Sequence, residues 1–202
     1  VALKPIADAV GLERVIVSSY QSVSGTGAAA IEELRTQTAG NLAGDEPAPS
    51  VYPHPIAFNA LPHIDVFEES GYTGEEVKVG NETRKMLHLP DLRVSATCVR
   101  VPVIRSHSEA VHIETTEPIT AQAARELLML APGAVVLDEP ASNTYPLARD
   151  AEGRDEVFIG RIRKDASHPN GLAMWIVADN LRKGAASNAV QIAESLVTKG
   201  WL

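Results

Sequence analysis

Residues 99–114 (VRVPVIRSHSEAVHIE) hold Arg100, Arg105 and His107 within eight positions. A guanidinium offers a planar fork to a carboxylate or a phosphate, and an imidazole can move protons near neutral pH. Side chains alternate across a strand, so positions 100 and 107 face opposite sides of a regular one. They share a site only if the chain bends between them. Pro102 and the polar run RSHS make such a bend credible. On residue types alone, two solvated arginines and a surface histidine at a strand end are a slightly better reading.

Three other places could carry chemistry. The run SVSGTG at 22–27 lies between a strand pattern and a helix pattern, where backbone N–H groups can meet an anion. Its glycines are out of frame for a dinucleotide fingerprint, so an ordinary turn is the simpler expectation. Glu75 and Lys78 share a helix face, as do Glu82 and Lys85. A carboxylate beside an ammonium suits a zwitterionic ligand, but most such pairs are solvated decoration. Cys98 sits in an apolar alternating run with no glycine turn beside it, which suits an inert core thiol better than a nucleophile. The histidines at 54, 63, 88, 112 and 168 lack metal-ligand spacing, so no metal is expected.

The elements that must position these residues are legible. Residues 1–9 read as a short helix and 13–19 (ERVIVSS) as a buried strand. A helix follows from Ala28, with Gly40 as the expected C-cap. Residues 41–65 contain five prolines and no sustained period, which predicts a long irregular excursion. Thr73 with Glu76 is a capping-box signature opening a helix over 73–88. Strands are expected at 93–104, 109–116, 134–138, 156–163 and 171–178, and Thr120 caps a helix that stops before Pro132. A last helix runs from about Asn180 to Lys199 with a small-residue apolar face. Strands and helices without a regular βαβ rhythm predict an α+β fold with a mixed, largely antiparallel sheet.

Composition narrows the functions. The chain has 202 residues, 45% of them hydrophobic, 22% charged and 4% aromatic, with a formal charge of −8. A phosphate-backbone partner needs a basic face, so nucleic acid is not expected. No apolar run reaches the roughly 20 residues of a membrane span. A single cysteine and no signal-peptide pattern make a reducing, cytoplasmic setting the expectation. The start at Val1, directly in helix-like sequence, suggests a domain of a longer chain.

Taken together, SSYQSVSGTG, PIAFNALPHID, EEVKVGNETRKML, CVRVPVIRSHSEA, GRIRKD and DNLRKGAASNAVQIAE resemble the aspartate-semialdehyde dehydrogenases, in that family's order and over nearly the whole chain. The family's nucleotide-binding domain and its N-C-T-type cysteine motif are not in this sequence, and the nucleophile's role does not transfer to Cys98. The resemblance implies a sheet with helices on one face, like the C-terminal domain of glyceraldehyde-3-phosphate dehydrogenase. It implies a catalytic and dimerisation domain over 1–179 and a C-terminal helix over 180–202 that packs on the missing nucleotide-binding domain.

The resemblance also implies a function and roles. The reaction is the interconversion of aspartyl-4-phosphate and aspartate-4-semialdehyde with NADPH, in lysine, threonine and methionine biosynthesis. Gln21 orients the substrate, Glu75 receives its amino group, Arg100 holds its carboxylate and Lys78 helps bind phosphate. His107 is the acid–base group. Ser24, Gly25 and Asn180 approach the NADP cofactor. The expected partners are the substrate, phosphate and a second copy in a homodimer, or a tetramer in the full enzyme. The exposed apolar residues expected in the excursion (Val51, Tyr52, Ile56, Phe58, Leu61) point to the same dimer. The alternatives are a non-enzymatic dimerisation domain of a degenerate paralogue and an N-acetyl-glutamyl-phosphate reductase.

Overall fold

Strand β1 (Arg14–Gln21) sets the architecture. Val15, Val17, Ser19 and Gln21 are buried on one face, while Ile16 and Tyr20 are exposed on the other. This alternation is what a sheet covered on one side demands. The computed structural model describes residues 1–202. Its six strands are β1, β2 (Arg93–Arg100), β3 (His107–Glu114), β4 (Ala134–Val136), β5 (Val157–Lys164) and β6 (Gly171–Ala178), in the order β2-β1-β3-β6-β5-β4. The pairs β1/β2 and β4/β5 are parallel, and the other three neighbours are antiparallel. The fold is α+β with a mixed sheet, as the sequence predicts.

The main core lies on one face of this sheet. Val15, Val17, Val111, Met174 and Ile159 meet Ile6 of α1 (Leu3–Val10) and Leu128 of α4 (Ala121–Met129). The charged helix α3 (Gly74–Leu87) packs along β2. Its start follows the predicted capping box: Thr73 Oγ1 accepts from Glu76 N, and Glu76 Oε2 accepts from Thr73 N at 2.8 Å. Such a cap is worth about 1 kcal/mol and fixes where Glu75 stands. The opposite face is covered only beside β5 and β6, where Ala151 of α5 (Ala148–Ala151) meets Phe158 and Val177.

Helix α2 (Ala28–Ala43) runs past Gly40 and ends at Gly44, whose left-handed backbone (φ 91°) closes the last turn onto Gly40 and Asn41. The stop is therefore four residues later than expected, because Gly40 tolerates helical geometry and Gly44 supplies the turn. The proline-rich excursion is irregular as predicted, but two of its five apolar residues do not wait for a partner. Ile56 and Leu61 are buried against Val23, Ala30 and Leu34. Phe58 is 68% exposed and Val51 38%.

Two buried polar side chains of α2 hold the excursion down. Glu33 accepts from Ser50 N at 3.0 Å, from Ser50 Oγ at 2.7 Å and from Val51 N. Gln37 Oε1 accepts from Ile56 N and Ala57 N. Burial pushes the Glu33 carboxyl up, and these donors outweigh it and hold it below the usual range. The last helix, α6 (Ala186–Thr198), starts later than predicted, after turns over residues 180–185, and buries no residue.

Candidate active site

The register of the sheet assembles the site. Gln21, the last residue of β1, pairs with Arg100, the last of β2. His107 opens β3 on the other side, next to Ser108, which pairs with Tyr20. The two residues therefore flank one strand end, from separate strands, and the parity argument along a single strand does not apply. Residues 101–106 cross between them, tied by Val23 N to Val103 O at 2.9 Å and Ser24 N to Ile104 O at 3.1 Å. Ser106 makes the final turn with φ 72°, a conformation that costs a non-glycine residue energy.

Arg100 is buried, and its Nη1 donates to the Ser22 carbonyl at 2.6 Å. Its Nε is also buried and has no partner. Gln21 Nε2 donates to Glu75 Oε1 and to Ser19 Oγ, both at 3.3 Å. Lys78 Nζ donates to Glu75 Oε2 at 2.7 Å, and that bond raises the Lys78 pKa above its ordinary value. Glu76 is spent on the cap and on Cys98 N, so it is Glu75 that faces the site. Glu82 and Lys85, which share the same spacing, form no ion pair.

His107 stands against the turn that follows β1. Its Nδ1 accepts from Ser22 N at 3.0 Å and lies 3.2 Å from Ser22 Oγ. Burial and then the nearby Arg100 cation lower its pKa to about 4. Gly25 packs so closely here that a Cβ would lie 3.1 Å from Arg100 Nη1 and 3.5 Å from His107 Nε2. The glycine thus lets backbone approach both functional groups.

Asn180 ties the floor together. Its Oδ1 accepts from Ser22 Oγ, Ser24 Oγ and Ser106 N, and its Nδ2 donates to Ser24 Oγ at 3.0 Å. Ser22 and Ser106 were not singled out by the sequence, because nothing but position distinguishes them from other serines of the turn. Arg105, which the sequence grouped with Arg100 and His107, is turned away. It donates from Nε to buried Asp179 at 3.0 Å and from Nη2 at 2.7 Å. Asp179 also accepts from Gly153 N and Leu181 N, so the pair anchors the chain that carries Asn180.

Cys98 lies two residues inside the site, opposite Ser19 and fully buried. Burial pushes its thiol up to about 11, so it is protonated at neutral pH. Of the remaining histidines, His63 stacks on Phe67 and His112 pairs with Asp165 at 2.8 Å. No three His, Cys, Asp or Glu side chains converge to hold a metal ion. A groove of about 490 Å³ adjoins Ser24, walled by Ile31, Arg35, Ile104 and Leu181. No helix is long and apolar enough to cross a membrane.

Residues 3–183 match the family described as semialdehyde dehydrogenase, dimerisation domain. The chain is 59% identical over 201 residues to aspartate-semialdehyde dehydrogenase of Aquifex aeolicus, covering 99% of this chain and 59% of that protein. It is 59% identical over 197 residues to the Legionella pneumophila enzyme of the same name, covering 97% and 57%. Among solved structures, aspartate semialdehyde dehydrogenase II of Vibrio cholerae complexed with ASA superposes with a TM-score of 0.94 at 50% identity, over 98% of this chain and 58% of that one. The chain thus spans a little under three fifths of these relatives. It belongs to the semialdehyde dehydrogenase family and carries that family's dimerisation domain.

Proposed function

We propose that this chain is the substrate-binding part of an NADP-dependent aspartate-semialdehyde dehydrogenase that interconverts aspartyl-4-phosphate and aspartate-4-semialdehyde. The observation that carries this is the Arg100 guanidinium, buried with Nε unpartnered among Gln21, Glu75 and His107. A buried donor without a partner costs about 1–3 kcal/mol, a cost that a ligand carboxylate removes. Glu75 and Lys78 set a carboxylate and an ammonium at one rim, which suits the substrate's amino group and its phosphate. Gln21, held by Ser19 and Glu75, orients the substrate between them, and His107 attends the reacting oxygen.

The residues present fit the reactive end of a nicotinamide cofactor. Gly25 leaves the room that a side chain would fill, and Asn180 Nδ2 uses one of its two hydrogens on Ser24. Ser24, Gly25 and Asn180 would hold that end. NADP, when bound, would accept or supply the hydride. The thiol that forms the thioester is not Cys98, which burial keeps protonated. The chain alone is therefore inactive. Phosphate-dependent reduction of NADP with aspartate semialdehyde tests this: turnover by the chain alone, abolished by Cys98→Ser, overturns it.

The dimer forms through the uncovered sheet face around Ile16, Tyr20 and Trp175. The family's description as a dimerisation domain and the lack of a covering layer there support this. Helix α6, which buries nothing in this chain, packs on the nucleotide-binding domain of the whole enzyme. A single buried cysteine suits a cytoplasmic enzyme.

A further inference from the structure

We propose that Arg105 and Asp179 are positioning residues for the cofactor end of the site, their buried ion pair setting the orientation of the Asn180 carboxamide. The ladder between β3 and β6 ends at the pair His107 and Ala178. Just beyond it, side chains join the two segments. Arg105 gives Asp179 both edges of a fork, Nε to Oδ1 at 3.0 Å and Nη2 to Oδ2 at 2.7 Å. The next peptide adds a second point, Ser106 N to Asn180 Oδ1 at 2.9 Å. Residues 105 and 106 thus clamp residues 179 and 180 at two adjacent positions.

The clamp is fixed from both ends. Asp179 is fully buried, and its carboxylate also accepts from Gly153 N at 2.7 Å and Leu181 N at 3.0 Å. Burial pushes its carboxyl up, and Arg105 with these two amides outweighs that and keeps it anionic at neutral pH. Its carbonyl accepts from Arg182 N and Lys183 N, which closes the turn around Asn180. Glu152, 3.8 Å from Arg105 Nη1, is exposed and competes weakly. An amide N–H can only donate, so the Asn180 atom facing Ser106 N is the oxygen. The two serine hydroxyls that donate to the same oxygen agree. The NH2 group therefore faces the other way, with one hydrogen on Ser24 Oγ and one to offer a ligand. A lysine at 105 keeps the charge and loses the fork, so it cannot hold both oxygens of Asp179. Only the identity of the ligand rests on the dehydrogenase reading; the clamp rests on these contacts.

Deuterium exchange of backbone amides in the full chain, resolved by NMR, reads the clamp without turnover. Val111, at the centre of the sheet, reports the stability of the whole. Arg105→Lys should raise exchange at Ser106 by about tenfold more than at Val111, the factor that loss of one hydrogen bond carries. Arg105→Gln, which keeps a donor without the fork, gives the same reading if the lysine variant does not fold. Exchange at Ser106 that stays at the parent level, or rises no more than at Val111, overturns the proposal. In an enzyme containing this chain, Arg105→Lys should raise the KM for NADP about tenfold and leave the KM for aspartate semialdehyde unchanged. Equal rises in both constants, or no rise in that for NADP, also overturn it. A parent enzyme that does not act on aspartate semialdehyde would sink the functional reading and leave the exchange result to decide the clamp.

Discussion

Arg100 Nη1 donates to the Ser22 carbonyl at 2.6 Å, while Ser22 N donates to His107 Nδ1 at 3.0 Å. One peptide segment thereby sets the Arg100 guanidinium and the His107 ring relative to each other. Arg100→Lys cannot reproduce this, because an ammonium has no second edge to offer while its first is on the carbonyl. In an enzyme containing this chain, Arg100→Lys should raise the KM for aspartate semialdehyde, with kcat less affected. The loss of one charge-assisted hydrogen bond, about 1.5–3 kcal/mol, corresponds to roughly a ten- to hundredfold rise. Steady-state kinetics check the split between the two constants.

His107 links folding to pH. Its folded pKa, about 4, lies below the ordinary 6.5, so the unfolded chain binds the extra proton first on acidification. Its contribution favours folding fully above about pH 6.5 and is lost progressively as pH falls toward 4. The shift corresponds to about 3 kcal/mol. Urea unfolding at neutral and mildly acid pH, compared with His107→Gln, should show a smaller acid loss in the variant. An equal loss in both would show that the ring does not titrate this way.

Cys98 should be silent toward thiol reagents in the folded chain. It is fully buried and protonated at neutral pH, and only a thiolate reacts fast. Ellman's reagent should label it only after denaturation. Rapid labelling of the native chain would mean that the edge strand β2 and the helix α3 against it open far more readily than the burial of Cys98 implies.

Glu33 holds the proline-rich excursion through two backbone amides and a hydroxyl. Glu33→Ala leaves those donors without their acceptor and should destabilise the chain by about 1–3 kcal/mol. Hydrogen exchange should rise at Ser50 and Val51 before it rises in β1. Thermal unfolding together with site-resolved exchange distinguishes this local release from a general loss of stability.

The strands and helices were legible because their signals are local. The Thr73 and Glu76 cap, the alternation of β1 and the irregular prolines of the excursion all depend on near neighbours. Helix α2 outran its prediction because a glycine can continue a helix as well as end one, and only tertiary context chooses. The resemblance pointed to Gln21, Glu75, Arg100 and His107; the sheet brings three of them to one end of β1, and α3 brings Glu75 there. The residue types alone misjudged how Arg100 and His107 meet. That depends on β1 lying between their strands, a non-local pairing that no spacing along the chain encodes. Ser22 was missed for the same reason, since its contacts to His107 and Arg100 run through backbone groups that every residue but proline carries.

Arg100 and His107 are proposed to serve aspartate-semialdehyde dehydrogenase chemistry. The most direct measurement is phosphate-dependent NADPH formation from aspartate semialdehyde by this chain joined to its nucleotide-binding, thiol-bearing part. Turnover is expected in the parent. Arg100→Ala should act chiefly on KM, and His107→Ala should lower kcat by roughly 10²–10⁴, as loss of an acid–base group does. Absence of turnover in a folded parent, or wild-type constants in both variants, would contradict the account.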